Sequence, residues 1–216
     1  MLARVVVDWD GTVTEVDALH MVLLEFGDQR VYEEHEARLG RELTLHEVIA
    51  SEFRTVRAPL VEVASWVREN VRVRAGFVEF ARRHRPLIAS SGFHELIGPI
   101  LAREGVELEV RANRLDARRD GWRTLFRRSQ PCPVCGEPCK RSDVAGLNGF
   151  VYVGDGFSDR CVALAAERIF ARDGLADYLV AQGVRFERFE DFYDVTRLLG
   201  EGGPVVPPTR SRGRNT

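Results

Sequence analysis

Hydrophobic residues along the chain first form a short strand pattern and then a long helical one. The run Val5-Val6-Val7 is continuous and β-branched, as is typical of a central strand of a parallel sheet. From residue 17 to about 72, apolar residues recur at helical spacing and predict four successive helices. Four helices after one strand do not alternate as βαβ units do. This stretch therefore predicts a helical cap inserted over the end of the first strand.

Strand and helix patterns alternate from Gly76 onward. Short apolar runs predict strands at residues 86–89, 106–110, 150–153, 169–171 and 185–186. Helices are predicted at residues 77–84, 93–104, 140–147, 158–167, 175–182 and 191–199, with a hairpin or excursion within 111–130. This alternation predicts an α/β fold, a Rossmann-like parallel sheet flanked by helices.

These patterns divide the chain into two domains and a tail. Residues 1–14 and 74–199 form the predicted core domain, and residues 15–73 form the predicted helical cap domain. Residues 200–216 are rich in Gly, Pro and Arg, and this composition predicts a disordered tail.

The charge balance argues against some classes of partner. The chain has 31 Lys and Arg and 33 Asp and Glu, which gives a formal net charge of −2 at pH 7. This balance provides no electrostatic basis for binding nucleic acid or an anionic membrane surface. No apolar run approaches the roughly 18 residues of a membrane span. We therefore expect a cytoplasmic protein with no nucleic-acid and no membrane partner.

Polar side chains follow the predicted strands at their carboxyl ends. Asp8 and Asp10 follow the first strand, Ser90 follows a second, and Asp155 and Asp159 follow a third. Ligands of open α/β sheets bind at this edge, so these groups are expected to converge. Converging carboxylates repel one another unless a cation lies among them, and a site made of oxygen ligands suits Mg²⁺.

Four motifs in this order resemble those of the haloacid dehalogenase superfamily of phosphatases. They are Asp8-Trp9-Asp10-Gly11-Thr12, Ser90, Lys140 and Gly154-Asp155-Gly156-Phe157-Ser158-Asp159. The helical insertion between the first two motifs resembles the phosphoserine phosphatase-like branch. Within that branch, the segment 132–140 is similar to the family of 2-hydroxy-3-keto-5-methylthiopentenyl-1-phosphate phosphatase-like proteins.

The resemblance implies a role for each charged group of the four motifs. Asp8 would be the nucleophile that forms an aspartyl-phosphate, and Asp10 the general acid and base. Lys140, the only lysine of the chain, would neutralise charge on Asp8 and the phosphoryl group. Mg²⁺ would be held by Asp8, Asp10 and Asp155, with Asp159 reaching the ion directly or through its waters.

The resemblance also implies how phosphate and substrate are bound. Ser90 and the backbone N–H groups of Ser91 and Gly92 would bind phosphate oxygens at a helix N-terminus. Asp17 stands where phosphoserine phosphatases carry a substrate-binding Glu, which counts modestly against phosphoserine as the substrate. Trp9 replaces the usual Phe and is expected to narrow the mouth of the site.

The function that the resemblance implies is a Mg²⁺-dependent phosphoric monoester hydrolase acting on a small phosphorylated metabolite, as a monomer or homodimer. One alternative is a phosphoserine phosphatase or a phosphotransferase of the same branch. The other is a catalytically silent binding protein on this fold, because a fold alone does not define an activity.

Three of the four cysteines are clustered in the spacing C-x₂-C-x₃-C. Cys132, Cys135 and Cys139 supply three thiols, one short of a structural zinc site, and Cys161 is a candidate for the fourth ligand. The alternative is that the clustered cysteines are small buried residues that brace the loop of Lys140.

Overall fold

A seven-stranded sheet forms the centre of this computed structural model, which describes residues 4–201. The strands are β1 (Arg4–Val7), β2 (Leu87–Phe93), β3 (Val110–Asp116), β4 (Arg123–Leu125), β5 (Phe150–Gly154), β6 (Arg168–Ala171) and β7 (Glu187–Arg188). They lie in the order β4-β3-β2-β1-β5-β6-β7, and every neighbouring pair is parallel except β3 with β4. The predicted α/β fold with a parallel sheet is confirmed.

Strand β1 lies in the middle of the sheet, between β2 and β5. Its residue Val6 pairs with Leu87 on one side and with Tyr152 on the other. Val6 and Val7 are completely buried, as expected for an apolar strand that is covered on both faces. Because β1, β2 and β5 run parallel, their carboxyl ends meet at one edge, which is where the polar residues predicted for the site emerge.

Four helices follow β1 before the next strand. They are α1 (Ala18–Phe26), α2 (Gln29–Glu36), α3 (Leu45–Phe53) and α4 (Leu60–Asn70). Thr44 and Glu47 form a capping box at the start of α3, and the side chains of Asp17 and Asp28 cap α1 and α2. These helices occupy the segment predicted to be a cap, and the division into two domains stays a proposal.

The remaining helices flank the sheet. They are α5 (Phe77–His84), α6 (His94–Arg103), α7 (Arg160–Ala163), α8 (Asp173–Ala181) and α9 (Phe192–Glu201). Phe192 is completely buried and packs against Phe77 and Phe80, with ring centroids 5.2 and 5.0 Å apart. Among the helices of the described chain, none combines the length and the apolar composition that crossing a bilayer requires.

Several predicted boundaries differ from the structure around the site. A 3₁₀ turn at Lys140–Val144 replaces the helix predicted at 140–147, which cannot continue through Gly146 because that residue has a φ of 87°. A 3₁₀ turn at Phe157–Asp159 followed by the short α7 replaces the helix predicted at 158–167. Gly156 and Asp159 hydrogen-bond to each other there, which tightens the first turn.

The third strand and the tail also begin later than predicted. Pairing with β2 begins at Val110, so β3 occupies the start of the predicted hairpin segment, and β4 completes that hairpin. Gly200 and Glu201 belong to the last turn of α9, where a glycine near a helix end is tolerated. The rest of the predicted tail, residues 202–216, lies outside the described residues.

Candidate active site

Asp8 is held at the carboxyl end of β1 by hydrogen bonds and an ion pair. Its Oδ1 accepts a hydrogen bond of 2.6 Å from the backbone N–H of Trp9 and lies 2.5 Å from Nζ of Lys140. The chain then turns at Gly11, which has a φ of 75°. After this turn, the hydroxyl of Thr12 donates a hydrogen bond to Asp155, so that the loops following β1 and β5 are joined.

Lys140 is a buried cation between two carboxylates. Its Nζ lies 2.5 Å from Asp8 and 2.7 Å from Asp159, and its side chain is 1% exposed. Burial alone would lower the pKa of Lys140, but the carboxylates of Asp159 and Asp8 raise it above its ordinary value. This lysine therefore stays charged although its side chain is buried.

Every oxygen of the Asp159 carboxylate is engaged. Oδ1 accepts hydrogen bonds from Lys140 Nζ at 2.7 Å and the Tyr152 hydroxyl at 2.6 Å. Oδ2 accepts from the backbone N–H groups of Asp155 and Gly156 at 2.9 and 3.0 Å. Burial would raise the pKa of Asp159, yet Lys140 and these hydrogen bonds lower it. Asp159 thus fixes the loop after β5 to Lys140.

Tyr152 was not identified from the sequence. It is a completely buried residue of β5 whose hydroxyl reaches Asp159. The only signal in the sequence is a tyrosine within an otherwise apolar strand, because a buried tyrosine hydroxyl needs a hydrogen-bond partner.

Three carboxylates at this edge fit a divalent cation. Oxygens of Asp8, Asp155 and Asp159 lie within 4.8 Å of one another. Burial and the neighbouring Asp159 raise the pKa of Asp155 to about 7, and the same causes raise the pKa of Asp8 well above its ordinary value. Lys140 neutralises one of these three charges, so a further cation is needed for all three acids to be ionised together. Their oxygen-only donor set matches the preference of Mg²⁺.

Asp10 and Ser90 are in contact across the β1 and β2 ends. The Ser90 hydroxyl donates to Asp10 Oδ2 at 3.3 Å and accepts from the backbone N–H of Gly92 at 2.7 Å. Burial, with the negative charge of Asp17 added to it, raises the pKa of Asp10 to about 8. A carboxyl that keeps its proton near neutral pH can act as a general acid.

A cavity of about 200 Å³ opens above Asp8 and Asp10, and α1, α2 and α3 form its far wall. Ser91, Gly92 and Phe157 also line it. Six acids line this cavity: Asp8, Asp10, Asp17, Glu36, Glu52 and Asp155. The cavity therefore joins the cluster at the strand ends to the helices inserted after β1.

Glu52 is a second residue that the sequence did not reveal. It lies on the buried face of α3 beside Phe53 and is 4% exposed, and its Oε1 has no hydrogen-bond partner among residues 4–201. Burial, together with the charges of Glu36 and Asp17, raises its pKa to about 8. The available signal was an acid within the apolar stripe of a helix, three residues after Ile49.

Asp17 and Trp9 were both expected to contact substrate, and only Asp17 lines the cavity. Asp17 lines the cavity, and its Oδ1 also accepts a hydrogen bond of 3.0 Å from the backbone N–H of His20. The expectation for Trp9 was wrong. Its side chain is 1% exposed and packs edge-on against Phe77, because alternate residues of an extended segment point to opposite faces.

The four cysteines lie together. All four sulfur atoms are within 4.8 Å of one another, and Sγ of Cys132 is 3.9 Å from Sγ of Cys161. All four are free thiols, and Cys135 is exposed, which argues against a purely space-filling role for it. Cys161 reaches the cluster from α7, whereas the other three come from the loop before Lys140.

Curated relatives cover nearly the whole chain, although no protein-family model matches it. A 2-hydroxy-3-keto-5-methylthiopentenyl-1-phosphate phosphatase from Exiguobacterium sp. is 25% identical over 211 residues, covering 92% of this chain and 98% of that protein. A phosphatase of the same name from Bacillus mycoides is 25% identical over 214 residues, with 92% and 96% covered.

Solved structures of phosphoserine phosphatases have a similar fold. The enzyme from T. onnurineus has a TM-score of 0.64 at 16% identity, covering 91% of this chain and 94% of that one. A substrate-bound phosphoserine phosphatase has a TM-score of 0.67 at 13% identity, covering 91% and 97%. The fold is that of these phosphoserine phosphatases. The predicted resemblance is confirmed, and so is the predicted enzyme class, a phosphoric monoester hydrolase.

Proposed function

We propose that this phosphatase is Mg²⁺-dependent and hydrolyses a small phosphorylated metabolite through an aspartyl-phosphate on Asp8. The observation that carries the proposal is the buried ion pair between Asp8 and Lys140, directly below a cavity that Asp10 also lines. A carboxylate next to a fixed cation is positioned to attack a phosphorus atom whose negative charge the same cation stabilises.

In the first step, an oxygen of Asp8 attacks the phosphorus, and the bond between phosphorus and the alcohol oxygen breaks. The proton held by Asp10 passes to that leaving oxygen, so the alcohol departs neutral. The raised pKa of Asp10, about 8, supports this assignment because it keeps the proton available near neutral pH. Lys140 balances the negative charge of the transferring group.

In the second step, water attacks the phosphorus of the aspartyl-phosphate. Asp10, now ionised, accepts a proton from this water, and the bond between phosphorus and Asp8 breaks. Inorganic phosphate leaves, and both acids return to their starting states. Ser90, Ser91 and Gly92 would bind the phosphate oxygens, since Ser91 and Gly92 line the cavity and Ser90 contacts Asp10.

Mg²⁺ would be held by Asp8, Asp155 and the backbone carbonyl of Asp10, with Asp159 positioning this set through its hydrogen bonds. When bound, the ion supplies positive charge that polarises the phosphoryl group. The crowding of Asp8, Asp155 and Asp159 and the raised pKa values of the first two support this assignment.

Turnover by an Asp8→Asn variant tests the proposal. We expect p-nitrophenyl phosphate hydrolysis to require Mg²⁺, to stop on chelation, and to fall at least about 10³-fold in the variant. The exposed Asp120 gives a matched control, and Asp120→Asn should keep wild-type turnover. Substantial hydrolysis by Asp8→Asn with an intact fold would contradict the assignment. Adding an acceptor alcohol separates hydrolysis from the phosphotransferase alternative.

We also propose that Cys132, Cys135, Cys139 and Cys161 bind a structural zinc ion. Tetrahedral coordination with Zn–S bonds of about 2.3 Å places sulfurs about 3.8 Å apart. The 3.9 Å separation between Cys132 and Cys161 and the mutual proximity of all four sulfurs support this ligand set.

The zinc ion would fix the positions of the two segments that carry Lys140 and Asp159. Cys139 directly precedes Lys140, and Cys161 lies two residues after Asp159, so the ligands flank both members of a buried ion pair. We expect about one zinc per chain by elemental analysis of protein purified without chelators. Cys135→Ser should lose it and the exposed neighbour substitution Val134→Ala should not. Less than half an equivalent in the wild type would overturn the assignment.

A further inference from the structure

The far wall of the cavity is unusually acidic for a site that binds phosphate esters. Asp17, Glu36 and Glu52 lie on this wall, which is formed by α1, α2 and α3. The lining of the cavity, as far as the described chain forms it, includes no arginine or lysine. These acids therefore face no arginine or lysine across the cavity.

Glu52 is the member of this wall that points most directly to a ligand. Glu52 is buried, with 4% of its surface exposed, and its Oε1 has no hydrogen-bond partner in residues 4–201. A buried carboxyl without a partner destabilises a fold. A ligand group that pairs with this oxygen accounts for its position in an otherwise apolar stripe.

Aromatic side chains complete the wall. Tyr32 and His20 stack on each other with ring centroids 4.2 Å apart, and both line the cavity. The face of a tyrosine ring attracts ammonium groups, and a carboxylate attracts them too. Two carboxylates of the wall, Glu36 and Asp17, raise the pKa of Glu52 after burial itself, which shows that their charges are felt at this position.

Building on the proposed phosphatase activity, we propose that Glu52, Glu36 and Asp17 bind a positively charged nitrogen at the end of the substrate remote from the phosphate. The substrate class is then a phosphomonoester of a short amino alcohol or quaternary ammonium alcohol. A carboxylate on the substrate disfavours binding, because the wall would repel it and offers no arginine or lysine to pair with it. Phosphoserine is therefore a poorer substrate than its analogue without the carboxylate.

Pairs of esters that differ only in charge test this inference. Choline phosphate and 3,3-dimethylbutyl phosphate have the same shape, and ethanolamine phosphate and propyl phosphate form a second pair. In the wild type with Mg²⁺ we expect kcat/KM to be at least about tenfold higher for the charged member of at least one pair. Phosphoserine should be turned over less efficiently than ethanolamine phosphate.

The Glu52→Gln variant keeps the shape of the side chain but cannot ionise to pair with a bound cation. We expect the ratio of the two kcat/KM values to fall at least about fivefold in this variant. Glu36→Gln gives the same test on α2 if Glu52→Gln does not fold. Glu25→Gln is the matched control, because Glu25 is exposed on α1 away from the cavity, and it should keep the wild-type ratio.

The outcomes separate this inference from the proposed function. A wild type that hydrolyses the neutral esters as well as the charged ones overturns the inference and leaves the phosphatase activity standing. Unchanged ratios in the folded glutamate variants overturn the assignment of the wall residues. A wild type that hydrolyses no ester, including p-nitrophenyl phosphate with Mg²⁺, refutes the proposed function instead.

Discussion

The ammonium group of Lys140 lies 2.5 Å from the carboxylate of Asp8, and both side chains are nearly inaccessible to solvent. A fixed buried cation stabilises charge that develops beside it far more than a solvated one does. Because Lys140 also contacts Asp159 at 2.7 Å, its position is set from two sides. The cation thus needs no rearrangement when the phosphoryl group transfers.

Removing this charge should abolish most turnover. Lys140→Met preserves the length of the side chain, and we expect kcat to fall by about 10²–10³-fold, the loss typical for removing one preorganised charge-stabilising group. Steady-state kinetics with p-nitrophenyl phosphate measures this. The exposed Arg119 offers a control, since Arg119→Met removes a positive charge far from the cavity. Lys140→Met with kcat within threefold of the wild type would contradict the role.

Asp159 should act by positioning, because its oxygens are occupied by Lys140, Tyr152 and two backbone N–H groups. We expect Asp159→Asn to weaken the apparent Mg²⁺ affinity about 10–100-fold, the usual effect of losing a residue that orients metal ligands. Activity measured against Mg²⁺ concentration reports this.

A narrower substitution serves as the comparison for Asp159. Tyr152→Phe removes only one donor to Asp159, so the shift in Mg²⁺ dependence should be smaller, with a loss of about 1 kcal/mol in the free energy of unfolding. An Asp159→Asn enzyme with wild-type Mg²⁺ dependence would show that this carboxylate does not organise the metal site.

The convergence of polar groups on one edge of the sheet was predictable from a local rule. Asp8 and Asp155 each follow a short apolar strand, Ser90 lies within the second half of β2, and parallel strands bring their carboxyl ends together. The rule requires only the strand pattern. The position of Lys140 was expected only from the motif resemblance, since a 3₁₀ turn in a loop of irregular sequence has no periodic signal.

Residues defined by tertiary packing could not be predicted in this way. Glu52 is an ordinary helix residue until α3 is placed over the cavity, and only then does its carboxyl lack a partner. Tyr152 acquires its role from the turn that carries Asp159 beneath β5. Trp9 shows the opposite error, since its replacement of the usual Phe suggested a place at the mouth of the site, while alternation along the extended backbone places it in the core.

Gly92 should not tolerate even the single methyl group of alanine. A Cβ at Gly92 would lie 2.8 Å from Asp10 Oδ2 and 3.0 Å from Ser90 Oγ, so one of these groups must move. We expect Gly92→Ala to lower kcat at least about tenfold, because small displacements of catalytic groups are costly. Gly98→Ala is the control, since open space surrounds that position in α6, and its kcat should be unchanged. Equal activities of the two variants would contradict the close packing inferred around Asp10.

Glu52 should make stability depend on pH. Its pKa is about 8 in the folded protein, against an ordinary value of 4.5, because burial and the charges of Glu36 and Asp17 disfavour ionisation. Between these two values the unfolded chain has lost the proton while the folded protein retains it. The unfolded state then binds fewer protons, so this group lowers the free energy of unfolding as pH rises from about 5 to 8.

Glu52→Gln removes this dependence without changing the shape of the side chain. We expect the variant to gain on the order of 1–3 kcal/mol relative to the wild type when the pH is raised from 5 to 8, a figure reduced from the full shift to allow for solvent relaxation. Urea unfolding at both pH values measures the difference. The exposed Glu25→Gln should show the same offset from the wild type at each pH. An offset of Glu52→Gln that is also equal at both pH values would mean that the Glu52 carboxyl is ionised in the folded protein across this range. A cation in the cavity would then already pair with Glu52 in the absence of substrate.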